Sequence, residues 1–282
     1  MRWKQGRRSR NIDDRRGAAR VRRGPVLGGG MGLLLIVVVL LMGGDPTQIL
    51  MLLADGGAQP ADAGRAAAPP TAADNEAADF VSVVLGTTED AWGQVFSSAG
   101  QTYPPPTLVL YRDAVQSACG FNSAATGPFY CPGDQQIYID LGFIDELRRL
   151  GAPGDFAFAY VIAHEVGHHI QRITGIEPQV RDAQRSVGEL ESNRLSVLME
   201  LQADCYAGLW ANHAERAGLL ETGDIDEGLA AAAAVGDDRL QRQAGRAVQP
   251  ESFTHGTSAQ RMEWFTRGLR DASVARCDTF GR

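Results

Sequence analysis

Apolar side chains recur along this chain at two periods and in one unbroken run, and each predicts a different element. Phe80, Val83, Val84, Trp92, Val95 and Phe96 fall near helical spacing and predict a first helix. Pro104, Pro105 and Pro106 break the chain. Residues 107–111 then read as a strand, and residues 136–140 alternate and predict a second. Helical patterns dominate afterwards. A short one covers 142–150, and one over 155–174 stops at Gly175, a residue suited to a helix end. A long one covers 189–213 and an alanine-rich one 225–248. The last, 258–271, offers Met262, Trp264, Phe265 and Leu269 to a core. No internal repeat is visible. The pattern predicts one α+β domain over 79–282, mostly helical with a small β-sheet.

The unbroken run lies earlier. From Pro25 to Gly44 there is no charged residue, and 31–42 is almost wholly Leu, Ile and Val. About 20 apolar residues cross a bilayer, so 24–44 is expected to be one N-terminal transmembrane helix, an uncleaved signal anchor. A cleaved leader is the rival reading, disfavoured because no clear small-residue cleavage site follows closely. Residues 45–78, rich in Ala, Gly and Pro, read as a flexible linker.

Charge then sets an expected orientation. The net charge of −7 hides a surplus of eight positive charges in residues 1–23, which leaves −15 for the rest. Excess Lys and Arg mark the cytoplasmic side of a span. The expectation is a basic cytoplasmic arm, a single pass through a bacterial inner membrane and an extracytoplasmic or periplasmic domain. Nucleic-acid binding by the arm is not expected.

The chemistry centres on His164-Glu165-Val166-Gly167-His168, inside a predicted helix. Residues four apart share a helical face, so both imidazoles converge on one metal ion. Glu165 is then placed to act as general base on a water at that metal. A catalytic zinc site usually has three protein ligands and one open position. In the long helix, Glu200 and Asp204 also lie one turn apart. Glu200 is the expected third ligand, and Asp204 the expected partner of a ligand His, fixing its tautomer. One zinc ion per chain is expected.

These motifs resemble the gluzincin branch of zinc metallopeptidases. More narrowly, the chain resembles the bacterial "putative neutral zinc metallopeptidase" family. The likeness runs from Met1-Arg2-Trp3 and Asp13-Asp14-Arg15-Arg16-Gly17 through Cys119 and Cys131 and the 200–208 stretch to His255-Gly256-Thr257-Ser258-Ala259-Gln260-Arg261. It implies a zincin-like fold, a protein or peptide substrate and a metalloendopeptidase activity. Membrane-embedded gluzincins carry a His-Pro followed a few residues later by Arg. By that likeness His255 is an oxyanion donor, although Gly256 stands where those relatives have Pro. Arg261 either braces an acidic site residue or is a surface charge.

His169 is rotated by 100° from His168 and is expected to be structural. His213 suits a helix C-terminus. Four cysteines in an exported domain favour disulfides. Cys119 and Cys131 are close in sequence and favour one pairing, which leaves Cys205 with Cys277. A cysteine zinc ligand is disfavoured, since no Cys-x-x-Cys is present. The 136–140 strand is expected to line the cleft and pair with substrate. The competing function is a non-catalytic, zinc-containing binding module of the cell envelope. Oligomeric state is not legible.

Overall fold

The computed structural model describes residues 1–17, 69–123 and 126–281. The expected first helix is α1, Ala72–Ser98. It begins earlier than its apolar stripe because Thr71 and Asp74 cap it reciprocally. The Thr71 hydroxyl accepts from the Asp74 N–H at 3.2 Å, and the Asp74 carboxylate accepts from the Thr71 N–H at 2.8 Å.

Among the described residues six short strands accompany the helices: β1 Ile12–Asp14, β2 Thr107–Tyr111, β3 Ala114–Ser117, β4 Gly120–Ser123, β5 Phe129–Cys131 and β6 Gln136–Asp140. β3 and β4 form a separate two-stranded sheet. The main sheet has the order β1-β2-β6-β5. β1, β2 and β6 run parallel, and β5 runs antiparallel to β6. The two expected strands, β2 and β6, are buried along four of their five residues. That is the pattern of central strands covered on both faces. The expectation that 136–140 pairs with substrate is thereby corrected, since β6 is paired on both sides. Among the described strands, β5 beside β6 has one edge unpaired.

Among the described residues seven further helices follow: α2 Phe143–Arg149, α3 Asp155–Ile173, α4 Ile176–Gln184, α5 Glu189–Arg216, α6 Asp224–Ala234, α7 Asp237–Gln243 and α8 Ser258–Asp271. The single alanine-rich helix expected over 225–248 is split into α6 and α7. The cause is the chain at 254–258, which crosses there. A Cβ on Gly236 would lie 2.4 Å from the Ser258 nitrogen, and the Asp237 carboxylate accepts from the N–H groups of Thr254, His255 and Gly256.

Helix α3 is buried along nearly its whole length, as a central core helix must be. Two contacts set its neighbours. At Gly167 a Cβ would lie 3.0 Å from the Ala203 Cα, so α3 and α5 meet backbone to backbone. At Gly208 and Gly268 the approach is closer: a Cβ on Gly268 would lie 1.9 Å from the Cys205 carbonyl oxygen. Helices α5 and α8 therefore touch where only glycine fits. Both expected disulfides are present, Cys119–Cys131 and Cys205–Cys277. The second ties the C-terminal turn Val274–Cys277 to α5.

The expected separate arm at 1–23 is corrected for the residues described. Residues 1–16 belong to the same compact unit as the chain from Pro70 onward. Trp3 packs edge-on against Phe80 at 5.5 Å, and Met1 is buried with its amino group 2.9 Å from Asp155. The charges of the segment are matched by acids chiefly on α1: Lys4 with Glu76, Arg7 with Glu89 and Asp90, Arg8 with Asp79. The expected anchor at 24–44 and most of the 45–78 linker lie outside the described residues. Among the described residues no helix is long and apolar enough to cross a membrane.

Because α5 and α8 meet at bare backbone, Gly268→Ala should lower stability by about 1–3 kcal/mol, the cost of overpacking a tight core. Thermal denaturation of the disulfide-intact protein measures it; an unchanged Tm would contradict the contact.

Candidate metal centre

One helical turn separates His164 from His168 on α3, and α5 crosses α3 at Gly167, between them. That crossing brings Glu200 to the two imidazoles. One ligand atom from each of His164, His168 and Glu200 lies within 4.8 Å of the others. The His164 Nε2 is 3.1 Å from Glu200 Oε2 and 3.1 Å from His168 Nε2, and His168 Nε2 is 3.3 Å from Glu200 Oε1. The expected ligand set is thus brought together.

The opposite ring nitrogens decide what these atoms can hold. The His164 Nδ1 is 2.9 Å from Asp204 Oδ1, so it carries a proton and donates to the carboxylate. His168 Nδ1 is 2.8 Å from Gln171 Oε1. The Gln171 amide nitrogen is engaged as donor to the Met199 carbonyl at 2.7 Å and to Gln202 Oε1 at 3.1 Å. The Gln171 oxygen therefore faces His168, whose Nδ1 must also carry the proton. In the neutral rings both Nε2 lone pairs then point at one centre beside an anionic carboxylate. Such a centre needs a cation or a proton, and two imidazoles with one carboxylate is a donor set that suits zinc.

Electrostatics reinforce this. Burial alone would push the His164 imidazole down, but the Asp204 and Glu200 carboxylates outweigh it and raise its pKa from 6.5 to about 10. Burial would likewise raise Glu200, yet the two imidazoles hold it well below the usual carboxylate range. Asp204 is fully buried and is kept low against burial by Arg261 and His164. The Arg261 guanidinium donates to it from Nε at 2.8 Å and Nη2 at 2.9 Å. The Tyr160 hydroxyl donates to it as well. Of the two readings of Arg261, the geometry selects the brace.

Glu165 is buried and lines the same cleft, of about 1060 Å³, that exposes His164, His168 and Glu200. Burial pushes its carboxyl up. His255 also lines the cleft. It is exposed, and Asp237 accepts from its main-chain N–H at 2.6 Å and lies 3.2 Å from its Nδ1. That hydrogen bond is the chief cause of its raised pKa. His169 stays outside the cluster: its Nε2 donates to the Pro104 carbonyl at 2.7 Å, and its Nδ1 meets the Tyr130 hydroxyl at 3.2 Å.

Comparison with known proteins gives the family of the chain. The model of the family described as "Putative neutral zinc metallopeptidase" matches residues 1–280. This chain belongs to that family. It is 49% identical over 288 aligned residues to "Uncharacterized protein YpfJ" of Escherichia coli K12, covering 100% of this chain and 99% of that one. It is 41% identical over 211 residues to "Uncharacterized protein Rv2575" of Mycobacterium tuberculosis H37Rv, covering 70% and 69%. No solved structure matches. Membership makes zinc the metal implied for the three convergent residues.

Sequence reasoning missed Gln171, Gln202 and Tyr160. Only Gln171 left a trace, as a polar residue three positions after His168, between Ile170 and Arg172.

Two outcomes follow from the ring nitrogens. Gln171→Leu removes the acceptor that fixes His168 and should weaken zinc binding about 10–100-fold, read by chelator competition. The second concerns pH. In the metal-free protein the raised His164 pKa stabilises the fold below about 6.5, and that contribution is lost as pH rises through about 10. Zinc needs the neutral ring, so loading within that window displaces a proton. Apparent zinc affinity should rise by about tenfold per pH unit there, with proton release visible by calorimetry in buffers of different ionisation enthalpy.

Proposed function

We propose that this protein is a zinc-dependent endopeptidase that cleaves extended polypeptide segments lying across the β5 edge. The observation that carries the reading is the convergence of His164, His168 and Glu200 at the floor of an open cleft, with Glu165 adjacent. When bound, zinc supplies Lewis-acid polarisation of the scissile carbonyl and makes a water more acidic. Glu165 takes the proton of the attacking water and passes it to the leaving nitrogen. A carboxyl raised by burial is closer to working pH and so suits both tasks. Asp204, clamped by Arg261 and Tyr160, holds the His164 ring, and Gln171 holds the His168 ring. Asp237 beside Nδ1 raises the pKa of His255 and so favours its imidazolium form, whose Nε2–H can donate toward the negative charge that develops on the carbonyl oxygen.

Phe129 and Tyr130 of β5 line the cleft, and the strand has an edge unpaired by any described strand. An extended backbone pairs naturally with such an edge. The apolar run at 24–44 supports attachment to a membrane, with membrane-proximal or envelope proteins as substrates.

Glu165→Gln should keep its zinc and lose cleavage of an unfolded test protein by at least about 10²–10⁴-fold. Full proteolysis by that variant would refute the mechanism, and a variant without zinc would show that Glu165 serves the centre differently. His255→Ala should retain zinc and lower kcat by about 10²–10³-fold with KM little changed. A rise in KM alone would reassign His255 to substrate binding.

A further inference from the structure

The first sixteen residues constrain where the rest of the chain resides. β1 lies parallel to β2, with Ile12 opposite Leu108, Asp13 opposite Val109 and Asp14 opposite Leu110. It is part of the same main-chain ladder as β6 and β5. The Arg16 side chain is buried; it pairs with Asp14 at 2.6 Å and donates to the Asp74 carbonyl at 2.5 Å. Asn11 donates to Glu89 at 2.8 Å, and the Ser9 N–H to the Ser82 carbonyl at 2.9 Å. The segment lies so close to α1 that a Cβ on Gly86 would meet the Arg7 carbonyl oxygen at 2.3 Å. α1 and β2 belong to the hydrophobic core that also holds α3, the helix that bears His164 and His168.

A chain that crossed a bilayer once between residues 17 and 69 would hold 1–16 on one side and the metal centre on the other. None of these contacts would then form. β2 would lose its partner on the β1 side, and its main-chain groups would need other partners.

We propose that residues 1–16 and the folded unit bearing the metal centre occupy one compartment. Arg16 and Pro70, where the chain leaves and re-enters that unit, then lie on the same side of any membrane. This replaces the single-pass arrangement. It also sets two expectations in opposition. The basic segment favours the cytoplasmic side, and the two disulfides favour an oxidising one. A single crossing reconciled them; in one compartment only one prevails.

The test uses the full chain in intact spheroplasts. Arg10→Cys and Arg185→Cys place reactive thiols at exposed positions, one in the N-terminal segment and one on the folded unit. A membrane-impermeant maleimide is applied before and after permeabilisation, and labelling is scored above that of the unsubstituted chain. Zinc content verifies that each variant is folded, and Gln5→Cys repeats the N-terminal position. The expected result is that both sites label together, before permeabilisation or only after it. Labelling of one site before permeabilisation and of the other only afterwards would overturn the proposal. So would a mature chain from which the Arg10→Cys site has been cleaved away. The result does not depend on peptidase activity.

Discussion

A carboxylate taken wholly out of water must be answered by donors or else take up a proton, and Asp204 is held ionised by being answered four times. His164 Nδ1, the Tyr160 hydroxyl and two nitrogens of Arg261 all reach it. These donors come from α3 and α8, while Asp204 itself is on α5. One anion thus joins three helices and orients the His164 ring in the same act. With Nδ1 committed to Asp204, His164 has only Nε2 to offer, and Nε2 faces Glu200 and His168.

The other ligand ring depends on a neutral counterpart. His168 is fixed by Gln171, which is fixed by Gln202, which donates in turn to the Cys277 carbonyl at 3.1 Å. Cys277 is bonded to Cys205, the residue after Asp204. Both sets of supporting contacts therefore end on the same stretch of α5. The glycines at 167, 208 and 268 let α3, α5 and α8 come close enough for these short polar side chains to span the gaps.

Much of this was legible in the sequence, and the parts that were not share a cause. His164, Glu165 and His168 are visible because helical geometry converts a spacing of four into convergence, and Glu200 with Asp204 by the same logic. Gln171, Gln202 and Tyr160 act through partners on other elements, and no local spacing announces an amide or a phenol as a support. The strands β2 and β6 were legible by their apolar content. Their order in the sheet was not, because strand order is set by crossovers, and so the pairing of 136–140 on both sides leaves no mark in the sequence. β5 is too short to show a period. The basic N-terminal segment reads as a topology signal because its acidic partners Glu76, Asp79, Glu89 and Asp90 lie far along the chain on α1, where complementarity leaves no mark in a local window.

The open edge of β5 also bears on self-association. A long bare strand invites other chains to extend the sheet. β5 spans only Phe129–Cys131, ends at a disulfide to Cys119 and is followed by Pro132, which has no N–H to offer. The edge is too short to template a second sheet. Its three residues, of which Tyr130 and Cys131 are buried, thereby limit the hazard of aggregation that an unpaired edge carries.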